Sequence, residues 1–156
     1  MNETVQLKRE HYGDFIVNYH NGLKNIRYVW RGAEKGKVMS QTVPYEVYDW
    51  LLYNTTTIRD GELQIAETEP KLEEIKNQIP EVEEYEANSH SKEDVIKLLK
   101  GNINKMKSEL NKVVSQSEKR FIKAVADELN ENEDEGLTKG KNDFINEWVR
   151  LKTDEE

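Results

Sequence analysis

Six of the seven tyrosines and two of the three tryptophans lie before residue 69, and the rest of the chain is dominated by helix-formers, Lys and Glu. Aromatic and β-branched residues fit the pleated, half-buried surface of a sheet, whereas Lys, Glu, Leu and Ala fill helices. A chain divided in this way is expected to fold as two units of different kind. Charge divides at the same place: residues 1–68 carry 8 basic and 9 acidic residues, and residues 69–156 carry 15 and 22. A length of 156 residues accommodates two small domains.

In the first part, Phe15 to Tyr19 and Leu23 to Trp30 flank Asn21-Gly22, a pair that tolerates the positive φ angles of a tight turn. This predicts a β-hairpin with Ile26, Tyr28 and Trp30 on one face. Val38 to Val43 reads as a further strand. Pro44 suits the start of a helix over about Tyr45–Tyr53, in which Val47, Trp50 and Leu51 form the core face. A second hairpin is expected from Thr56-Thr57-Ile58, Asp60-Gly61 and Glu62 to Ile65. The first unit, 1–68, is thus a small antiparallel sheet with one packed helix.

Residues 69–90 hold seven acidic and two basic residues with Pro70 and Pro80, which predicts an acidic linker with at most a helical turn or two around Leu72 and Ile75. Beyond it, Ser91 starts a helix whose stripe is Ile96, Leu99, Ile103, Met106, Leu110 and Val113. Ser115 and Glu118 form a second capping box ahead of Phe121, Ile122, Val125 and Leu129. A third helix is expected from Thr138 to about Lys152, with Phe144, Ile145, Trp148 and Leu151 inward. The whole chain then reads as α+β: the sheet domain (1–68), the linker (69–90), a three-helix bundle (91–152) and an acidic tail (153–156).

The chain has no Cys, which excludes disulfides, thiolate zinc sites and cysteine nucleophiles, and points to folding inside the cell. The first residues lack a basic start followed by an apolar run, and no stretch approaches the ~20 apolar residues of a bilayer span. Neither an export signal nor membrane association is expected. The net charge of -8 makes nucleic acid an unsuitable default partner.

Candidate chemistry is sparse. Glu131 to Gly136 resembles an acidic calcium loop, but Glu131 and Asn142 stand where Asp and a bidentate Glu are required, so a solvated turn is the better reading. His11, His20 and His90 lack the spacing of a metal site; His11 and His20 could meet near Asp14, although surface or turn positions suit them better. No phosphate loop, nucleophile elbow or dinucleotide fingerprint occurs. The nine basic residues against six acidic over 91–130 read as a solvated helical face. No catalytic residue, metal or cofactor is expected. Tyr45, Tyr48 and Tyr53 concentrate aromatic surface on one short helix and are the candidate partner-binding residues, since rigid aromatics dominate many interfaces.

Ser40-Gln41-Thr42-Val43-Pro44, followed by Tyr48 and Leu51, resembles the corresponding stretch of the YqbF family, short proteins encoded among capsid and tail genes of prophages. The resemblance covers about residues 1–68 and is best over 40–51. It implies a non-enzymatic, phage-encoded protein of virion assembly that binds capsid, portal or neck components in the bacterial host cytoplasm, remaining in the virion or not. Homo-oligomers are compatible with that role. The alternative is an acidic phage regulator that binds and inhibits a host protein.

Overall fold

Val5 and Leu7 alternate with Thr4, Gln6 and Lys8, so a strand through them buries one row and wets the other. In the computed structural model, which describes residues 3–150, this is β1 (Thr4–Arg9). It is followed by β2 (Phe15–His20), β3 (Asn25–Trp30), β4 (Met39–Pro44), α1 (Tyr45–Asn54) and β5 (Gln64–Ile65). β1 lies in the middle of a three-stranded antiparallel sheet of order β4-β1-β5, while β2 and β3 form a separate hairpin. The sequence reading overlooks β1, although its alternation is legible.

The hairpin closes through four residues, Asn21 to Lys24, rather than the expected two-residue turn. Asn21 N–H donates to the Lys24 carbonyl at 3.1 Å, its side chain accepts from Lys24 N–H at 2.9 Å, and Gly22 takes φ +83°. Trp30 is fully buried between the two sheets, its indole N–H donating to the Leu7 carbonyl at 2.9 Å. The expected second hairpin does not form. Residues 56–63 make a looping turn that buries Thr57 and Ile58, and only Gln64 and Ile65 pair with β1.

The stretch read as a linker is folded: α2 (Lys71–Lys76) and α3 (Val82–Ala87) bury Ile75, Ile79 and Tyr85 in the same core as Val5, Val47 and Leu63. Sparse apolar residues suffice here because the partner surface already exists. The fold of α1 changes with it. Val47 and Leu51 are buried as expected, but Tyr48 rather than Trp50 is the fully buried aromatic; Trp50 is half-buried, edge-on to Tyr19 with ring centroids 5.5 Å apart.

The second half holds α4 (Lys92–Lys100), α5 (Ile103–Leu110), α6 (Gln116–Asn130) and α7 (Lys139–Trp148) around a separate core that includes Leu99, Met106, Ile122 and Trp148. The long helix expected from Ser91 is two helices. Gly101 ends the first, and the Asn102 side chain caps the second by accepting from Asn104 and Lys105 N–H. Leu151, Lys152 and the acidic tail lie outside the described residues. Among the described residues no helix is long and apolar enough to cross a membrane.

Candidate functional site

The two cores meet across a buried polar joint that begins with an ordinary helix cap. Ser115 Oγ accepts the Glu118 N–H at 3.3 Å, as a capping box requires. The Glu118 side chain, however, does not reach back to the cap. It is fully buried and turns toward the first half, where Oε1 lies 2.7 Å from His11 Nε2 and Oε2 lies 2.8 Å from His90 Nδ1. One carboxylate therefore holds an imidazole from the sheet domain and another from the segment ahead of α4.

His11 is held from its other side too. Its Nδ1 is 3.5 Å from Glu62, and its ring stacks on Phe121 with centroids 4.8 Å apart. Burial alone would lower the pKa of this imidazole, but the Glu118 and Glu62 carboxylates outweigh that effect and raise it above 6.5. Burial opposes ionisation of Glu62 as well. Bonds from His11, Arg9 and Ser117 overcome it and bring Glu62 down to about 2. Arg9 is itself buried, donating to Glu62 Oε1 at 3.0 Å and to the carbonyls of Glu62, Gly13 and Tyr12.

Asn88, at the end of α3, extends the joint. It donates to the Arg59 carbonyl at 3.0 Å and accepts from Val114 and Ser115 N–H, so one buried amide ties three segments together. Gly61 must pass directly beneath it: φ is +76°, and a Cβ there would stand 1.9 Å from the Asn88 carbonyl oxygen. At the margin, Tyr12 OH donates to Glu128 at 2.8 Å and packs edge-on to Phe121, while Lys92 reaches the same carboxylate at 2.9 Å.

A cleft of about 400 Å³ opens over this joint, lined in part by Arg9, His11, Glu62, Ser117 and Arg120. Ser117 Oγ donates to Glu62 at 2.9 Å, but a carboxylate this acidic is a poor base with which to activate a hydroxyl. Both Glu118 oxygens are engaged by imidazoles, and among the described residues no group of three or more His, Cys, Asp or Glu side chains is placed to hold a metal ion. Glu118 thus ties α6 to His11 of the sheet domain and to His90 ahead of α4.

Of the three histidines, His20 lies exposed beside the hairpin turn as expected, whereas His11 is buried and His90 partly so. His11 and His90 meet at Glu118, while His20 bonds Asn25 in the hairpin and Asp14 accepts from Gly32 N–H. The Glu131 to Gly136 turn is largely exposed, with Glu135 paired to Lys100. In the basic stretch, Lys119 is buried, its Nζ 3.3 Å from the Trp148 carbonyl and over the indole ring.

The three candidate tyrosines are separated by burial. Tyr53 is 64% exposed, Tyr45 is half-buried and bonds Gln78, and Tyr48 is fully buried. Burial and the nearby Tyr85 hydroxyl push the Tyr48 phenol well above its usual range, and its hydroxyl has no bonding partner among the described residues. Of the three side chains, Tyr48 belongs to the core, which it shares with Ile75, Ile79 and Tyr85 of the stretch read as a linker. Tyr48→Phe removes an unpaired buried hydroxyl whose desolvation costs about 1–3 kcal/mol, so thermal unfolding should show an unchanged or higher midpoint. A clear drop would mean that the hydroxyl is bonded.

Models of two domains match the chain: the YonA N-terminal domain over residues 3–81 and the YonA C-terminal domain over 91–155. The gap between them, 82–90, holds α3, Asn88 and His90, so the joint links the two matched regions. No curated protein and no solved structure matches. The name these matches carry is YonA, not the YqbF of the resemblance over 40–51, and with both halves matched in order the chain belongs to the YonA family.

Proposed function

We propose that this is a phage-associated, non-enzymatic binding protein that serves virion assembly by attaching to a capsid, portal or neck component. The YonA domain names support the phage association. The observation that carries the reading is Tyr53, exposed at the end of α1 beside a shallow cleft of about 290 Å³ whose mixed lining joins Leu52, Ile58, Ile79 and Pro80 to Arg59 and Glu81. A rigid aromatic next to a recess that offers both apolar and charged groups is a common anchor of a protein interface. Tyr45, half-buried on the same helix, widens that surface, and Tyr48 supports it from beneath.

Tyr53→Ser should weaken retention by purified phage capsid, portal or neck proteins by about tenfold or more, with the unfolding midpoint unchanged. Equal retention of wild type and variant on the same component would place the interface elsewhere. The second reading, an acidic regulator of a host protein, is favoured by the net charge of -8. Fractionation of infected cells separates the two: comigration with particles supports assembly, and a stable complex with a host protein away from particles supports regulation.

A further inference from the structure

One edge of the hairpin is left unpaired among the described residues. β3 lies along β4, where Gln41 Nε2 donates to the Val29 carbonyl and Arg31 N–H donates to Met39 Sδ, each at 3.3 Å. The far edge of β2 has no such neighbour: among the described residues its backbone bonds only to β3. Folded proteins usually guard such edges with Lys, Pro or a bulge. Phe15–His20 has no charged residue and no Pro, and its six pairs with β3 run without a bulge. On the solvent face Ile16 and Val29 stand opposite each other, 45% and 37% exposed, next to the pair Asn18 and Arg27.

The charge around this edge opposes that of the chain. Residues 14–46 contain Lys24, Arg27, Arg31, Lys35 and Lys37 against Asp14, Glu34 and Glu46, the last of them paired with Lys24, in a protein of net charge -8. Arg27 and Arg31 are exposed and have no carboxylate partner among the described residues. An unpaired strand edge selects extended backbone, and a local positive field selects acidic side chains.

We propose that β2 accepts an extended, acidic segment of a partner protein as an added strand, with its apolar side chains against Ile16 and its carboxylates toward Arg27 and Arg31, which reach across the hairpin. This surface is independent of Tyr53 and gives the protein a second attachment point.

Selection of a random decapeptide library on the immobilised full chain tests it. The expected result is enrichment of peptides alternating Asp or Glu with β-branched residues. The best of them should bind in solution, lose about tenfold in affinity with the Arg27→Glu/Arg31→Glu variant at unchanged thermal midpoint, and fail to bind when N-methylated along one edge. Tyr53→Ser should leave this binding intact, which separates the proposal from the function proposed above. No enrichment, enrichment of basic or proline-rich peptides, or equal binding of the N-methylated peptide would overturn the proposal. So would a dimer in sedimentation that Asn18→Lys dissociates, since β2 would then pair with itself.

Discussion

Glu118→Ala should destabilise the folded chain by about 3–5 kcal/mol, the usual cost of removing one partner from a buried charge pair. Glu118 is fully inaccessible and is the common acceptor for His11 and His90, so its loss leaves two imidazoles without a carboxylate. His11 suffers more because it is itself buried against Phe121. Urea denaturation measures the effect directly. Glu118→Gln keeps the shape and one acceptor and should lie between wild type and Ala. A loss under about 1 kcal/mol for Glu118→Ala would mean that the joint contributes little to the fold, as an exposed pair would.

The second large effect belongs to the sheet domain. Trp30→Ala should cost about 3–5 kcal/mol, since it empties a fully buried indole site and the surrounding strands can relax only in part. It also leaves the Leu7 carbonyl without the indole N–H that it accepts. Trp30→Phe restores much of the volume but not that bond, and should cost clearly less. Trp50→Ala is the informative comparison: the half-buried ring against Tyr19 should cost less than Trp30, measured as thermal midpoints of the full chain. Equal losses at both positions would contradict the burial pattern described for α1.

The class of each half was legible because it rests on local periodicity. The alternation of β2 and β3 and the inward stripes of α6 and α7 each lie within one element. Non-local packing decided the rest. Ile75, Ile79 and Tyr85 are too few to announce a core, and the stretch that carries them folds into α2 and α3 because the sheet domain offers a surface to cover. The exchange of Tyr48 and Trp50 follows from that cover, because both flank the Val47 and Leu51 face and only the neighbours decide which is enclosed. The joint was invisible for a similar reason. His11 and Glu118 are 107 residues apart, and no local motif records a contact of that kind. Glu118 carried a signal, its capping-box position, but that signal concerns its backbone and says nothing of where its carboxylate goes.

Two proton equilibria act on this joint in opposite directions. The His11 pKa is raised in the folded state, so its contribution is complete below the unfolded value of 6.5 and is lost as pH rises through the folded value. Glu62 is lowered to about 2, so its contribution is complete above the unfolded value of 4.5 and is lost as pH falls toward 2. Both are present together between pH 4.5 and 6.5, the window in which the joint holds best. The central claim is that a buried carboxylate binds the two halves through protonated His11, and NMR titration of the His11 ring in the full chain tests it most directly. The ring should titrate above 6.5, and Glu118→Gln should move that titration downward. Titration at or below 6.5, unchanged by Glu118→Gln, would contradict the account.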